Sequence, residues 1–324
     1  METKPKVWIL DDEGLSHEKE FEIYEQNEIE YRVTTKASFE KDLEEFGKDA
    51  VAIVCQVGFQ IDSELISKLE NCKAICSFGM GFNQIDLDAA AEKNIYVTNV
   101  PNYCAEEVAD HTVALSLSLL RRIYHYKQKV KNGIWDPTDT EPIHRLSHTV
   151  IGLLGFGQIA RNVAQKLKGF GVKIIAHDRF VDEKVFEEYG VTSVSFEELL
   201  RQSHLLSLHV PLTKETRHML NYENLKKLPK GAFIVNTCRG GVIVEEDLVK
   251  VIKEKHLSGA ALDVLEKEPP EKDNELLKLD EVIITPHAAY FSIEAEEQMQ
   301  RETAMNVVRV VNNEKPINIV NNVQ

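Results

Sequence analysis

The chain has 324 residues, of which 43% are hydrophobic and 28% charged, and its formal net charge is −15. This length exceeds one typical hydrophobic core and suits two globular domains. The negative charge argues against nucleic acid or an anionic membrane as the main partner, and no apolar stretch has the length of a membrane span. Since the five cysteines include no C-x-x-C pair and no secretory signal pattern is present, a cytoplasmic protein is expected.

Short apolar runs alternate with helical patterns through the first hundred residues. Strands are predicted at 7–10, 31–34, 50–55, 74–77 and 95–98, with helices at 15–27, 39–46, 63–69 and 87–93. Alternation of this kind predicts a parallel sheet that helices cover on both faces.

One long helix, 105–131, is predicted next from apolar residues at helical spacing. The alternation then restarts, with strands at 149–154, 172–176, 204–210, 232–236, 258–262 and 281–285, before a final helix at 292–312. The sequence therefore predicts two doubly wound α/β domains. The ligand is expected in the cleft between them, outside the carboxyl ends of the strands.

A glycine turn follows the predicted strand 149–154. Gly155 and Gly157 come first, and Ala160 lies in the helical pattern that leaves the turn. In such a G-x-G-x-x-A turn the glycines permit a tight bend and close approach of a pyrophosphate, while the small third residue lets the helix pack on the strand. Free N–H groups at the helix start favour phosphates. The pattern predicts a dinucleotide site.

An acid follows the next predicted strand. Asp178 stands where a carboxylate accepts hydrogen bonds from a ribose diol and would repel a 2′-phosphate. This favours NAD over NADP, although the neighbouring Arg179 weakens the preference.

Three residues at predicted strand ends suit acid–base chemistry on an anionic substrate. Arg239 can bind a carboxylate through two parallel hydrogen bonds, His287 can transfer a proton near neutral pH, and Glu268 can fix the histidine's tautomer. On residue grounds alone, each has a structural alternative: a surface arginine at a turn, one acid among 53, and a hydrogen-bonded structural histidine.

The segments around these residues resemble the D-isomer-specific 2-hydroxyacid dehydrogenases, in the branch of the phosphoglycerate dehydrogenases and C-terminal-binding proteins. The resemblance covers nearly the whole chain from about residue 50, with several motifs in the family's order. The motifs are IVNTCRGG at 234–241, LDVLEKEP at 262–269, TPH at 285–287, GMGFNQID at 79–86 and NVPNYCAEEVADH at 99–111.

The resemblance implies a flavodoxin-like substrate domain, 1–101 plus 291–324, and an NAD-binding Rossmann domain, 102–290. It assigns catalysis to Arg239, Glu268 and His287. The implied cofactor contacts are Gly155, Gly157, Gln158, Ile159, Asp178, Val210, Thr216, Thr237, Cys238 and Asp263, with Asp263 on the nicotinamide side. The implied substrate contacts are Arg239 and the backbone amides around Phe78, Gly79, Met80 and Gly81.

The activity so implied is NAD-dependent interconversion of a small 2-oxo acid and its D-2-hydroxy acid, without a metal and in a homodimer. Hydride would reach C2 while His287, kept charged by Glu268, donates a proton and Arg239 clamps the carboxylate. The substrate could be 3-phosphoglycerate or a related small acid. However, Ser77 stands where phosphoglycerate dehydrogenases often carry an arginine, so Arg121, Arg145 or another basic residue would have to supply that charge.

Two alternatives remain on the same scaffold: an NAD(H)-sensing, corepressor-like binding protein, and an enzyme that oxidises formate or phosphite. The short tail after the final helix favours an enzyme. Trp135 and Tyr290 are either walls of the substrate pocket or ordinary core aromatics.

Overall fold

The computed structural model describes residues 4–12, 14–56 and 58–323. The chain divides into two compact units, Met1–Tyr103 with Ser292–Gln324, and Cys104–Phe291. These bounds lie within two residues of the predicted ones. The ligand predicted for each unit stays a prediction.

Both units consist of alternating strands and helices. The strands β1 to β12 are Lys6–Leu10, Glu30–Thr34, Ala52–Cys55, Ala74–Ser77, Tyr96–Thr98, Val150–Leu154, Lys173–His177, Thr192–Ser193, Leu205–Leu208, Ala232–Asn236, Leu257–Leu262 and Val282–Ile284. The helices α1 to α12 are Glu18–Gln26, Phe39–Glu45, Ser63–Lys68, Leu87–Glu92, Ala105–Leu120, Ile123–Lys131, Gln158–Leu167, Glu183–Tyr189, Phe196–Gln202, Tyr222–Leu225, Glu245–Lys253 and Ile293–Val311. Among the helices within the described ranges, none is long and apolar enough to span a membrane.

The first unit contains a five-stranded parallel sheet in the order β2-β1-β3-β4-β5. Every residue of β3 and β4 is buried, as expected when helices cover both faces of a parallel sheet. On one face α12 packs against β3 and β4 and against α1, so the C-terminal helix completes the unit formed by the N-terminal residues. On the other face Trp8, Ile53 and Ile75 form a core with Leu43 and Leu65 from α2 and α3.

The second unit contains a seven-stranded parallel sheet in the order β12-β11-β10-β9-β6-β7-β8. The chain order reverses at β6, which has β7 on one side and β9 on the other. Ligands of open parallel sheets bind at such a reversal, beyond the carboxyl ends of the strands. The glycine turn follows β6, so it lies at this position. The two-residue strand β8 was not predicted, because it is too short to show a periodic pattern of apolar residues.

The predicted helix 105–131 is wrong as one element, since α5 ends at Leu120 and α6 begins at Ile123. Arg122 between them has a φ of +53°, which no α-helix accommodates. Its guanidinium donates to the Ser258 carbonyl at 3.0 Å and lies over the Phe233 ring, 4.7 Å from the centroid. These contacts with distant residues hold the break.

Trp135, predicted as a pocket wall or a core aromatic, is 87% exposed, so the core alternative is wrong. The predicted strand 204–210 ends earlier, at Leu208, which leaves Val210 in the loop after β9.

Candidate active site

The three candidate catalytic residues follow three neighbouring strands of the second unit. Arg239 follows β10, Glu268 lies in the loop after β11, and His287 follows β12. The strands are adjacent and parallel, so their carboxyl ends share one edge of the sheet. Residues almost fifty positions apart in sequence are thereby brought to one edge.

His287 and Glu268 form an ion pair in which Nδ1 lies 2.6 Å from Oε2. The other carboxylate oxygen, Oε1, accepts the Leu265 amide at 2.8 Å. Partial burial acts to raise the pKa of Glu268, but the hydrogen bond and the charge of His287 outweigh it and hold this pKa below its usual range. The Leu265 amide and the positive charge of Arg239 act in the same direction. Glu268 is therefore a carboxylate at neutral pH, and it orients the imidazole so that Nε2 remains for a ligand.

Asp263, directly after β11, holds the loop that carries His287. Its side chain is buried, and the residue is only 2% exposed. Oδ1 accepts the Thr285 hydroxyl at 2.5 Å and the Ala288 amide at 2.9 Å, and Oδ2 accepts the Ala289 amide at 3.0 Å. The Asp263 carbonyl accepts the His287 amide at 2.8 Å, and His287 has a φ of +52°. These bonds stabilise a backbone conformation that is uncommon for histidine.

His111 on α5 extends this network and was not singled out from the sequence. Its Nε2 lies 3.1 Å from the Thr285 hydroxyl, which gives its own proton to Asp263. His111 therefore donates to Thr285. The ring of Tyr290 meets His287 edge-on, with centroids 6.4 Å apart, so this predicted aromatic lies beside the candidate proton donor. A buried acid followed by T-P-H could have suggested the Asp263–Thr285 contact, but nothing local signals His111.

The loop that carries Arg239 is fixed by its neighbours. The Arg239 Nη1 donates to the Cys238 carbonyl at 2.6 Å, and Asn236 Nδ2 donates to the Arg239 carbonyl at 3.0 Å. A Cβ at Gly240 would overlap the backbone carbonyl of Leu265, so only glycine fits there. The Arg239 loop thus lies directly against the segment that supplies the Leu265 amide to Glu268.

The glycine turn after β6 has the features that a dinucleotide requires. Gly155 has a φ of +92°, and a Cβ there would lie 2.6 Å from the His209 carbonyl oxygen. Gly157, by contrast, is exposed, and apart from the glycine itself and its chain neighbours no heavy atom of the described residues lies within 4 Å of where its Cβ would stand. The open backbone at Gly157 precedes the ten-residue helix α7, so the turn leaves room for a phosphate at a helix N-terminus.

Asp178 is held by the backbone on both sides. Its Oδ2 accepts the Phe156 amide and its Oδ1 the Phe180 amide, each at 2.8 Å. The carboxylate is therefore fixed beside the glycine turn, and each oxygen retains acceptor capacity for a further donor.

The remaining predicted cofactor contacts differ in exposure. Gln158 is exposed, whereas Ile159 and Val210 are half-buried. The Thr216 hydroxyl donates to the Pro211 carbonyl at 2.6 Å, and the Thr237 hydroxyl lies 2.8 Å from that of Thr112. These hydrogen bonds stabilise the loops that contain Thr216 and Thr237.

Cys238, one of the implied cofactor contacts, is half-buried. Burial of its sulfur raises its pKa to about 11, so the residue is a neutral thiol at physiological pH. It cannot serve as a thiolate nucleophile there.

The predicted substrate segment 78–81 follows β4 in the first unit. The Phe78 amide donates to the Cys55 carbonyl at 2.8 Å and the Gly79 amide to the Ser77 carbonyl at 3.0 Å. Because the Phe78 and Gly79 amides already have backbone acceptors, the amides of Met80 and Gly81 remain as the predicted donors to a substrate. The Met80 carbonyl accepts from Asn99 Nδ2 at 2.8 Å, which fixes the segment.

Comparison with known proteins identifies the family of this chain. Residues 113–289 match the family model of the D-isomer specific 2-hydroxyacid dehydrogenase, NAD binding domain. The chain is 36% identical to a protein named glyoxylate reductase from Thermococcus litoralis, over 98% of this chain and 97% of that one. It is 38% identical to a D-3-phosphoglycerate dehydrogenase from Methanocaldococcus jannaschii over 94% of this chain, but it spans only 58% of that relative's length.

A solved structure of a related dehydrogenase has a similar fold. The fold superposes on a D-lactate dehydrogenase from Aquifex aeolicus, crystallised with NAD and lactic acid, with a TM-score of 0.84 and 31% identity over 95% of this chain and 96% of that one. The predicted family, fold class and cofactor are confirmed. The chain belongs to the D-isomer-specific 2-hydroxyacid dehydrogenase family and is an NAD-dependent 2-hydroxyacid dehydrogenase.

Proposed function

We propose that this enzyme reduces a small, unphosphorylated 2-oxo acid to the D-2-hydroxy acid, with His287 as proton donor, Glu268 as its orienting carboxylate and Arg239 as the carboxylate clamp. The observation that carries the proposal is the 2.6 Å His287–Glu268 ion pair, whose carboxylate also feels the charge of Arg239. An acid–base pair beside a fixed guanidinium suits a substrate with both a carboxylate and a carbonyl.

The His287 imidazole performs the proton transfer. Because Nδ1 is bonded to Glu268, Nε2 is the atom that donates to the substrate oxygen in reduction and accepts from the hydroxyl in the reverse direction. The side chain of His287 is 39% exposed, so a ligand can reach it. General acid catalysis by a positioned histidine contributes about 10²- to 10⁴-fold.

Arg239 binds the substrate carboxylate and polarises the carbonyl. Its guanidinium has five N–H donors, and its contact with the Cys238 carbonyl leaves others for a bidentate pair with the carboxylate. The amides of Met80 and Gly81 are proposed as additional carboxylate donors.

NAD supplies the redox chemistry of the reaction as the hydride carrier. Gly155 and Gly157 leave space for its pyrophosphate, and Asp178 accepts hydrogen bonds from the adenosine ribose. Since two backbone amides hold Asp178 in place, its negative charge cannot move away from a 2′-phosphate, and we propose a preference for NADH over NADPH.

The first unit supports a small substrate without a phosphate group. The Ser77 hydroxyl donates to the Gly81 carbonyl, so the position at which an arginine would bind a phosphate instead holds the substrate loop. Several relatives are named glyoxylate reductase, which agrees with a small substrate.

A substrate panel tests the proposal. Purified enzyme with NADH is expected to reduce glyoxylate and other small 2-oxo acids faster than phosphorylated ones, as followed by the loss of NADH absorbance. Absence of turnover with every 2-oxo acid would overturn the proposal.

We propose further that the chain forms a homodimer through an apolar surface on and after α6. The exposed apolar residues there are Ile123, Val130, Ile134 and Trp135. Apolar side chains clustered on a surface are typical of protein interfaces. Analytical ultracentrifugation should give a dimer for the wild type and a monomer for Trp135→Glu with Val130→Glu. A monomeric wild type would refute this arrangement.

A further inference from the structure

A buried polar network lies at the start of α1 in the first unit, and the proposed reaction does not use it. His17, directly before α1, lies between two acids: its Nε2 is 3.0 Å from Asp11 Oδ2, and its Nδ1 is 2.5 Å from Glu20 Oε2. All three residues are buried, and Glu20 is completely inaccessible to solvent. Ionisable side chains are seldom buried unless they are paired, so each of these groups depends on the other two.

The hydrogen bonds of the two acids determine the protonation of the histidine. Asp11 Oδ1 accepts the Gly14 amide at 2.9 Å and Oδ2 accepts the Leu15 amide at 3.0 Å, so Asp11 accepts in these bonds as a carboxylate does. A ring nitrogen that faces a carboxylate must donate. With an acid at each nitrogen, His17 carries both ring protons and is positively charged. Burial alone would lower the pKa of His17, but the hydrogen bonds and charges of Glu20 and Asp11 outweigh it and raise this pKa above the usual 6.5.

Neutral groups surround this network on α1, β4 and α12. The Tyr24 hydroxyl on α1 donates to Glu20 Oε1 at 3.1 Å, and burial raises the pKa of Tyr24 well above its usual value. On β4, burial raises the pKa of the Cys76 thiol to about 12. From α12, Gln300 Oε1 accepts the Lys19 amide at 2.8 Å, and the buried residues of that helix carry no charge. The two acids are therefore the groups that set the charge of the imidazole.

The charged ring contacts the first residue of the predicted substrate segment. The centroids of the His17 and Phe78 rings are 5.2 Å apart, with their planes tilted by 43°, and the Phe21 ring stacks on His17 at 5.8 Å. Phe78 directly follows β4 and is buried. A cation within about 6 Å of an aromatic centroid is attracted to that ring, more strongly where water is excluded. The imidazole thereby holds Phe78 at the point where the segment 78–81 begins.

We infer that His17 is a positioning residue for the predicted substrate segment 78–81. Clamped between Asp11 and Glu20, its charged ring holds Phe78 and thereby the backbone amides that follow. The inference rests on the proposed function, in which those amides bind the substrate carboxylate. When the imidazole loses its proton at alkaline pH, one ring nitrogen faces a carboxylate without a hydrogen, and the hold on Phe78 weakens.

A double-mutant cycle between positions 17 and 78 tests the inference. The variants are His17→Gln, Phe78→Leu and the two combined, and the measurement is the Kd of oxamate, a non-reducible analogue of a 2-oxo acid, for the enzyme–NADH complex. Each single substitution should weaken oxamate binding about fivefold, the loss expected from a cation–π contact. The double variant should bind about as well as the weaker single variant, because both substitutions remove the same contact. The KM for glyoxylate should rise in parallel, with a smaller change in kcat.

A control and a second variant keep the cycle decisive. His256 in the second unit is half-buried, and its Nε2 lies 3.0 Å from the Leu228 carbonyl, so His256→Gln should bind oxamate as the wild type does. If His17→Gln does not fold, Glu20→Gln takes its place, because it keeps the imidazole and removes one of the two acids. Combined with Phe78→Leu, it should again weaken binding by less than the product of the two single effects.

Urea unfolding without ligand reports the charge of His17 independently of turnover. Because its pKa is higher in the folded than in the unfolded protein, its stabilising contribution is complete below pH 6.5 and is lost as the pH rises through the folded value. The difference in the free energy of unfolding between the wild type and His17→Gln should therefore narrow from about pH 6 to about pH 9. The difference in oxamate affinity between the same two proteins should narrow over the same range.

The inference and the proposed function fail on different results. Independent effects of His17→Gln and Phe78→Leu on oxamate binding, or wild-type affinity in His17→Gln, would overturn the positioning role and leave the proposed function intact. A stability difference that widens toward alkaline pH would exclude a charged His17 and overturn the inference as well. A wild type that reduces no 2-oxo acid would instead overturn the proposed function, whatever the urea experiment shows for His17.

Discussion

Polar side chains near the strand ends of the two units differ in whether they have hydrogen-bond partners. In the second unit Asp263 has hydrogen bonds to both carboxylate oxygens, and Glu268 is bonded to His287 and Leu265, before any ligand binds. In the first unit Gln56 is buried without a partner among the described residues. A pair proposed to transfer protons must be positioned in advance, whereas a buried amide without partners among the described residues contributes no such order.

The largest effect is expected from replacing His287, the proposed proton donor. His287→Asn should lower kcat for reduction about 10²- to 10⁴-fold, because asparagine cannot donate a titrating proton. The Kd for NADH, measured by fluorescence titration, should remain unchanged. His148→Asn, at an exposed histidine, provides the control. Near-normal turnover in His287→Asn would exclude His287 as the proton donor.

A smaller effect is expected from the residue that positions the histidine loop. Asp263→Asn replaces one acceptor oxygen by an amide that faces either the Thr285 hydroxyl or a backbone N–H. A lost hydrogen bond to a buried charged group costs about 1.5–3 kcal/mol. The Tm should fall, and kcat should fall about tenfold or more with a smaller change in KM. Asp280→Asn, at an exposed acid, should change neither value. A rise in KM alone would assign Asp263 to ligand binding and not to positioning.

The smallest expected effect concerns acid pH and the His287–Glu268 ion pair. The pKa of Glu268 is below its usual value in the folded protein, so the pair stabilises the fold above the unfolded pKa of about 4.5 and this stability is lost as the pH falls through the folded value. The Glu268 side chain is 35% exposed, and water reduces the contribution. Urea unfolding should show Glu268→Gln to be less stable than the wild type at pH 7, with a gap that narrows below about pH 4. A gap that widens toward acid pH would contradict the ion pair.

The sequence predicts those features that depend on local patterns. The glycine turn at Gly155 and the strand ends before Arg239 and His287 follow from apolar runs, because a buried parallel strand needs a continuous apolar segment. The break at Arg122 could not be predicted, since the helical pattern continues through it and the carbonyl that holds it, Ser258, lies 136 residues away. The contact of His111 with Thr285 spans 174 residues and depends on how α5 packs against the sheet. The burial of Gln56 without partners among the described residues depends on packing around β3 that no local sequence pattern shows.

The close contact at Gly240 also constrains efforts to engineer this enzyme. Any side chain at 240 would collide with the backbone at Leu265, so random libraries at that position should yield glycine alone among active clones. The loop of Arg239 and the segment that holds Glu268 would then keep their relative position in every active variant. Attempts to change the substrate should therefore keep Gly240 and vary the predicted substrate segment 78–81 of the first unit.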